Sequence, residues 1–366
     1  MVDDKPIFET GLGEDEPDPD ELPVRDRKVI TQPYDSVIET LVEQIKSGTI
    51  FIRPLSERPR FQRNYVWSDQ IASKLVESII LNVPIPRCYL SQNEEMELDV
   101  IDGQQRLYSI YRFFENQFRL KNLEILTEIN GLAFHQLSTK MQRQLKTHTL
   151  RCVVITNQSH PEIRFDVFER LNTNTVPLNA QELRNCIYRG ALNDFLGEAA
   201  QNEQWLKIIG RKEPDKRLRD EEVVLRFLAF ETKGLASYRT PLKHWLNEAA
   251  KDGRRYSPKV MAELAQAWTQ AINVSLIWFE EKECFRRPGS RAINKALFDL
   301  ICSTAKKVKL DEAHGMRQEF RRLYFDLLNH EEFQDLISRA VDHKKRTNRR
   351  FEIWAEKFSP IISGLN

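Results

Sequence analysis

Residues 191–366 contain no convincing strand and a succession of amphipathic runs, and this break in pattern constrains the fold more than any other feature of the chain. The runs cover 192–202, 221–230, 241–250, 258–283, 293–307, 314–328 and 331–345, so an all-helical domain is predicted from 191 onward. Pro258 stands at a helix start, and Trp268, Trp278, Phe298, Phe320, Tyr324 and Phe325 read as bundle core. Before Gly190 short strands are mixed with helices. The fold class is therefore α+β, with an acidic tail over 1–30, a mixed α/β domain over 31–190 and a helical domain over 191–366.

In the mixed domain, Ser36-Val37-Ile38-Glu39 has the form of a capping box, followed at helical spacing by Val37, Leu41 and Ile45 until Gly48. Thr49 to Arg53 reads as a strand, and a second helix is capped at Ser68. Arg87–Ser91 and Glu97–Ile101 form a predicted hairpin around a polar turn. A helix then carries Leu107, Ile110, Tyr111 and Phe114 on one face. Leu150 to Thr156 is a continuous apolar run, which suits a central strand better than an edge. Asn179 and Glu182 form a second capping box.

The formal net charge of +1 over 366 residues conceals an asymmetry: residues 1–24 sum to −8 and the remainder to +9. A segment with four prolines and so little to bury does not repay the entropy of ordering, so the tail is expected to be disordered. The mildly basic body points to an anionic partner. No run approaches the ~18 to 20 apolar residues of a membrane span, and Asp3 and Asp4 stand where a signal peptide carries positive charge. A cytoplasmic protein without membrane contact is expected. Cys88, Cys152, Cys186, Cys284 and Cys302 are scattered, with no C-x-x-C pair, and read as reduced cysteines rather than as a disulfide framework or zinc site.

Chemistry is most legible at Val100-Ile101-Asp102-Gly103-Gln104-Gln105-Arg106-Leu107. An apolar strand delivers an acid and a glycine to a helix start, where unpaired backbone N–H groups attract anions. Gly103 permits close backbone approach, Arg106 can grip a phosphate, Gln104 and Gln105 offer neutral donors and acceptors, and Asp102 can hold a metal or a water. The same residues serve equally well as a structural cap and ion pair. Near the C-terminus, Lys344, Lys345, Arg346, Arg349 and Arg350 form a basic stretch, with further patches at 211–219 and 286–291. On one face these would neutralise DNA phosphates, and otherwise they are solvated helix surface.

The segment DGQQR, with upstream Phe61-Gln62-Arg63-Asn64-Tyr65-Val66-Trp67 and downstream Phe168-Glu169-Arg170-Leu171-Asn172-Thr173-Asn174, resembles the N-terminal domain family of GmrSD-type, modification-dependent restriction endonucleases. The resemblance implies a ParB/sulfiredoxin-like fold, binding and hydrolysis of a nucleoside triphosphate of unspecified base, with Mg²⁺, and a role in restriction or anti-phage defence. Carried over by position, Asp102, Gly103, Gln104, Gln105 and Arg106 would form the nucleotide site, joined by Gln62, Arg63, Arg170 and Asn172, with Asp102 placing Mg²⁺ or the attacking water. Many family members continue into an HNH-type nuclease domain. Here His314, His330 and His343 are isolated on helical runs, so that domain is expected to be missing. The expected partners are DNA and a separately encoded effector nuclease or other defence subunit, with homo-oligomerisation left open. Two other readings stand beside the NTPase: a ParB-like nuclease that cuts DNA itself, and a non-catalytic, nucleotide-gated DNA-binding adaptor.

Overall fold

The computed structural model describes residues 7–9, 28–52, 67–159, 167, 170 and 179–363. The chain is α+β and divides into two compact units, Leu22–Ile187 and Tyr188–Asn366 together with Met1–Glu21.

The first unit is built on a five-stranded mixed sheet of order β1-β7-β4-β5-β3, formed by β1 (Thr31–Pro33), β3 (Ile50–Phe51), β4 (Cys88–Gln92), β5 (Leu98–Asp102) and β7 (Cys152–Ile155). The hairpin β4–β5 is antiparallel, and β7 runs parallel to β4 between it and β1, which explains the unbroken apolar run of the β7 segment. A second, two-stranded sheet pairs β2 (Ser36–Val37) with β6 (Thr149–Leu150). Helices α1 (Ile38–Lys46), α2 (Asp69–Ile80), α3 (Gln104–Phe114) and α4 (Thr139–Thr147) pack together around a core that includes Ile38, Leu75, Leu90, Leu107, Phe113 and Val154. Ser68 caps α2 by accepting from the Ile71 N–H. The reciprocal bonds of Asn179 and Glu182, 2.8 and 2.9 Å, cap α5 (Ala180–Ile187). Ser36 does not cap α1. Its backbone is drawn into β2 opposite Leu150, and Glu39 pairs with Lys146 at 2.7 Å instead of folding back.

From Tyr188 onward the named elements of the second unit are all helices among the described residues, from α6 (Ala191–Ala199) and α7 (Glu203–Ile209) through α8 (Arg219–Lys233), α9 (Leu242–Gly253), α10 (Pro258–Trp278), α11 (Lys295–Ala305) and α12 (Leu310–Leu328) to α13 (Glu331–Ser338) and α14 (Lys344–Phe358). Trp268, Trp278, Phe298, Phe320 and Tyr324 are buried as expected, whereas Phe325 is 38% exposed and lies under the Arg321 guanidinium. No helix among the described residues is long and apolar enough to cross a membrane.

The single helix expected over 331–345 is broken between α13 and α14. The break has a cause in the core. The Asp342 carboxylate accepts from Arg226 Nη1 at 2.6 Å, its carbonyl accepts from the Tyr238 hydroxyl at 2.8 Å, and the Val341 carbonyl accepts from Arg350 Nη1. These three bonds pull the 339–343 segment inward, and Ala340 takes a left-handed φ of 40° to allow it.

The tail, expected to be disordered over 1–24, is docked at Ile7–Glu9. Ile7 and Phe8 are buried, and Phe8 forms a parallel bridge with Ile293. The rest of the acidic segment up to residue 27 lies outside the described residues.

Candidate functional site

β5 ends at Asp102 and α3 begins at Gln104, so the reversal falls entirely on Gly103. Its φ of 93° is left-handed, a conformation that costs an L-residue about 1–2 kcal/mol. A Cβ there would stand 2.4 Å from Cys88 Sγ and 3.0 Å from Cys88 Cβ. The glycine is thus demanded from behind, by β4, as well as by the turn. Cys88 and Cys152 are direct partners across the parallel β4–β7 pair, both buried, and the hydrogen bond with Cys88 together with burial pushes the Cys152 thiol far above its ordinary range.

Gly103 supplies no capping side chain, and no acidic residue occupies the first turn of α3, so the positive end of this helix is not offset within the helix itself. Asp102 stands just ahead of it with a side chain 40% exposed. Arg106, one turn into α3, donates from Nη2 to Asp102 Oδ2 at 2.6 Å, and from Nη1 to the carbonyls of Pro86 and of Arg87, the latter at 3.2 Å. The phosphate grip expected of Arg106 therefore meets competition: most of its fork is engaged in fixing Asp102 and the strand entry to β4. Only its remaining N–H groups face other uses among the described residues.

Gln105 does more than the sequence suggested. Its Oε1 accepts from the Trp67 backbone N–H at 3.3 Å, and its carbonyl accepts from Ser109 Oγ at 2.6 Å. Trp67 closes the upstream motif and leads directly into α2, whose first residue, Asp69, pairs with Arg112 of α3 at 3.1 Å. DGQQR and the end of the upstream motif are thus joined at one place, by residues of the two motifs themselves. The role of Arg112 was not anticipated, although it lies about two helical turns from Gln105 on the same helix, a spacing that puts both on one face. Gln62, Arg63 and Asn172 lie outside the described residues, and Arg170 is exposed.

The basic stretch near the C-terminus is less available than its sequence suggested. Arg350 is not on the surface at all. It is completely buried, with Nη2 3.4 Å from Asp299 Oδ2. Arg346 pairs with Asp335 at 2.7 Å, and Arg349 with Glu332 at 2.8 Å and Glu352 at 3.5 Å. Lys345 is exposed and Lys344 half-buried. Among the described residues, no group of three or more His, Cys, Asp and Glu side chains gathers as a metal site.

Comparison with protein-family models matches residues 38–189 to the GmrSD restriction endonuclease N-terminal domain. The matched span begins at α1 and runs through DGQQR to just past α5, which makes it nearly the whole of the first compact unit. Residues 38–189 are a GmrSD-type domain. The chain matches no curated protein and no solved structure. The GmrSD-type domain places this part of the chain in a restriction endonuclease family, in which an interaction with DNA is the natural context. The helical unit from Tyr188 onward lies almost entirely beyond the matched residues.

Proposed function

We propose that the GmrSD-type domain, with a ParB/sulfiredoxin-like arrangement, binds and hydrolyses a nucleoside triphosphate over the N-terminus of α3, as the nucleotide-dependent component of a system that restricts foreign DNA. The reading is carried by one observation: Gln105 ties the end of the upstream motif to an uncapped helix start beside the half-exposed carboxylate of Asp102. The first-turn N–H groups of α3 would receive phosphate oxygens. Arg106 holds Asp102 in place through Nη2 and offers its remaining donors to the same phosphates. Mg²⁺ prefers one or two carboxylates plus phosphate oxygens and water, so a single exposed Asp102 fits that donor set, and the ion when bound would neutralise charge on the transferred phosphoryl group. Asp102 then orients the attacking water. Hydrolysis would alter the grip of the protein on DNA or on a separately encoded effector. Contact with DNA through the helical unit would rest on Lys344 and Lys345, since Arg350 is buried and Arg346 and Arg349 are paired.

The test is phosphate release from the purified chain with ATP, GTP and CTP, in the presence and absence of DNA. Asp102→Ala is expected to lower turnover at least tenfold while changing nucleotide affinity little. Arg106→Ala is expected to weaken affinity about tenfold or more, because a charge-assisted bond contributes roughly 1.5–3 kcal/mol. Folded variants that both hydrolyse at the wild-type rate would remove the site from consideration. The engagement of Arg106 with Asp102 and two carbonyls favours one competing reading, a nucleotide-gated adaptor that binds without turnover. Tight nucleotide binding with no phosphate release would select it.

A further inference from the structure

The segment Ile7–Glu9 is held on the helical unit by three kinds of contact at once. Its backbone joins Ile293 in both directions: the Ile293 N–H donates to the Ile7 carbonyl and the Glu9 N–H donates to the Ile293 carbonyl, each at 2.9 Å. Ile7 and Phe8 are both 7% exposed. The Glu9 carboxylate sits in a nest made by Arg287 Nε at 3.0 Å, Ser290 Oγ at 2.9 Å and Asn294 Nδ2 at 2.6 Å. Asn294 is itself buried, caps α11 through the Leu297 N–H, and donates also to the Ile337 carbonyl, so the nest is rigidly built. A cavity of about 540 Å³ shares Arg287 and Ser290 with it and continues past Phe325, Leu328 and Ile337.

Backbone pairing, apolar anchors and a carboxylate nest are together how an extended peptide is recognised, with main-chain bonds giving affinity and side-chain pockets giving specificity. We infer that the groove along Arg287–Asn294 is a peptide-docking site, filled in cis by the chain's own Ile-Phe-Glu, whose exchange partner is a segment of another protein that presents two bulky apolar residues followed by an acid in extended form. The chain's own triplet defines the chemistry that fits. The adjoining cavity gives a longer partner segment room that the three docked residues do not use. A tethered segment has an effective concentration that reaches the millimolar range, so the cis arm excludes weak competitors and yields only to a partner that also fills the extension.

The test uses the full-length chain and, as probe, a labelled peptide of residues 1–24. Apparent affinity in trans falls in proportion to the fraction of sites left open. Freeing the groove is therefore expected to let the Phe8→Ala, Glu9→Ala double variant of the full chain bind the peptide about tenfold tighter than wild type does. Arg287→Glu added to that variant should remove the gain, and a scrambled peptide of the same charge should not bind. Thermal melts of each variant, and Glu9→Gln as a milder disruption of the arm, show whether the fold is intact. Equal binding by the wild type and the double variant, or equal binding of the scrambled peptide, overturns the inference. Concentration-dependent self-association of wild type that the double variant abolishes would assign the groove to a second copy of the chain and overturn it equally.

Discussion

Replacing Asp299 by alanine is expected to destabilise the helical unit by about 3–5 kcal/mol, the cost of stranding a buried charge. Asp299 on α11 accepts from Arg226 Nε with both oxygens, at 2.7 and 2.8 Å, and stands 3.4 Å from Arg350 Nη2. All three residues are essentially inaccessible to water. Burial raises the Asp299 carboxyl above its ordinary value, against the opposing pull of Arg226. With Asp342 added, the cluster contains two guanidinium groups and two carboxylates, and so balances. Removing Asp299 leaves one positive charge without a counter-ion, and Arg226 Nη2 and Arg350 Nε already find no hydrogen-bond partner among the described residues. Five of the six tryptophans lie in this unit, so urea unfolding followed by tryptophan fluorescence reads it selectively. A loss below about 1 kcal/mol would show that water or a rearranged neighbour compensates the arginines.

Gly103→Ala is expected to cost about 2–5 kcal/mol, from two separable sources. The left-handed backbone at φ 93° contributes roughly 1–2 kcal/mol. The added methyl, 2.4 Å from Cys88 Sγ, forces β4 and α3 apart, and overpacking of this kind costs about 1–3 kcal/mol. Cys88→Ala should cost little by itself, yet in combination with Gly103→Ala it should recover part of the packing term, because the sulfur that clashes is gone. The backbone part and the lesser contact to Cys88 Cβ at 3.0 Å remain. A double-mutant cycle in thermal unfolding measures that coupling, and strictly additive losses would mean that the methyl is accommodated elsewhere. The result bears on the nucleotide site as well, since Gly103 then owes its place to the packing of β4 and not only to a ligand in front of α3.

Much of the first unit was legible without coordinates wherever the signal is local. Ser68, Gly103 and the pair Asn179 and Glu182 mark helix starts by groups that act within three or four residues, and the β4–β5 hairpin and the β7 run follow from side-chain period and apolar length. The family resemblance rested on short motifs that the structure brings together in the one described case, Gln105 against Trp67. Other features required the tertiary structure. Ser36 has the form of a cap until Leu150 arrives to pair with it, 114 positions later in the chain by the numbering of their register. Arg350 belongs to a basic run in sequence and to a buried network in space, because Asp299 meets it from 51 residues away. Ile7–Glu9 look like the start of a solvated acidic tail, and become a docked peptide only because Arg287, Ser290 and Asn294 converge on one carboxylate. The sequence determines helix starts, strand runs and turns because these depend on neighbours along the chain. What a charge does depends on its desolvation and on the counter-charge it meets, and both are supplied by residues that only folding brings near.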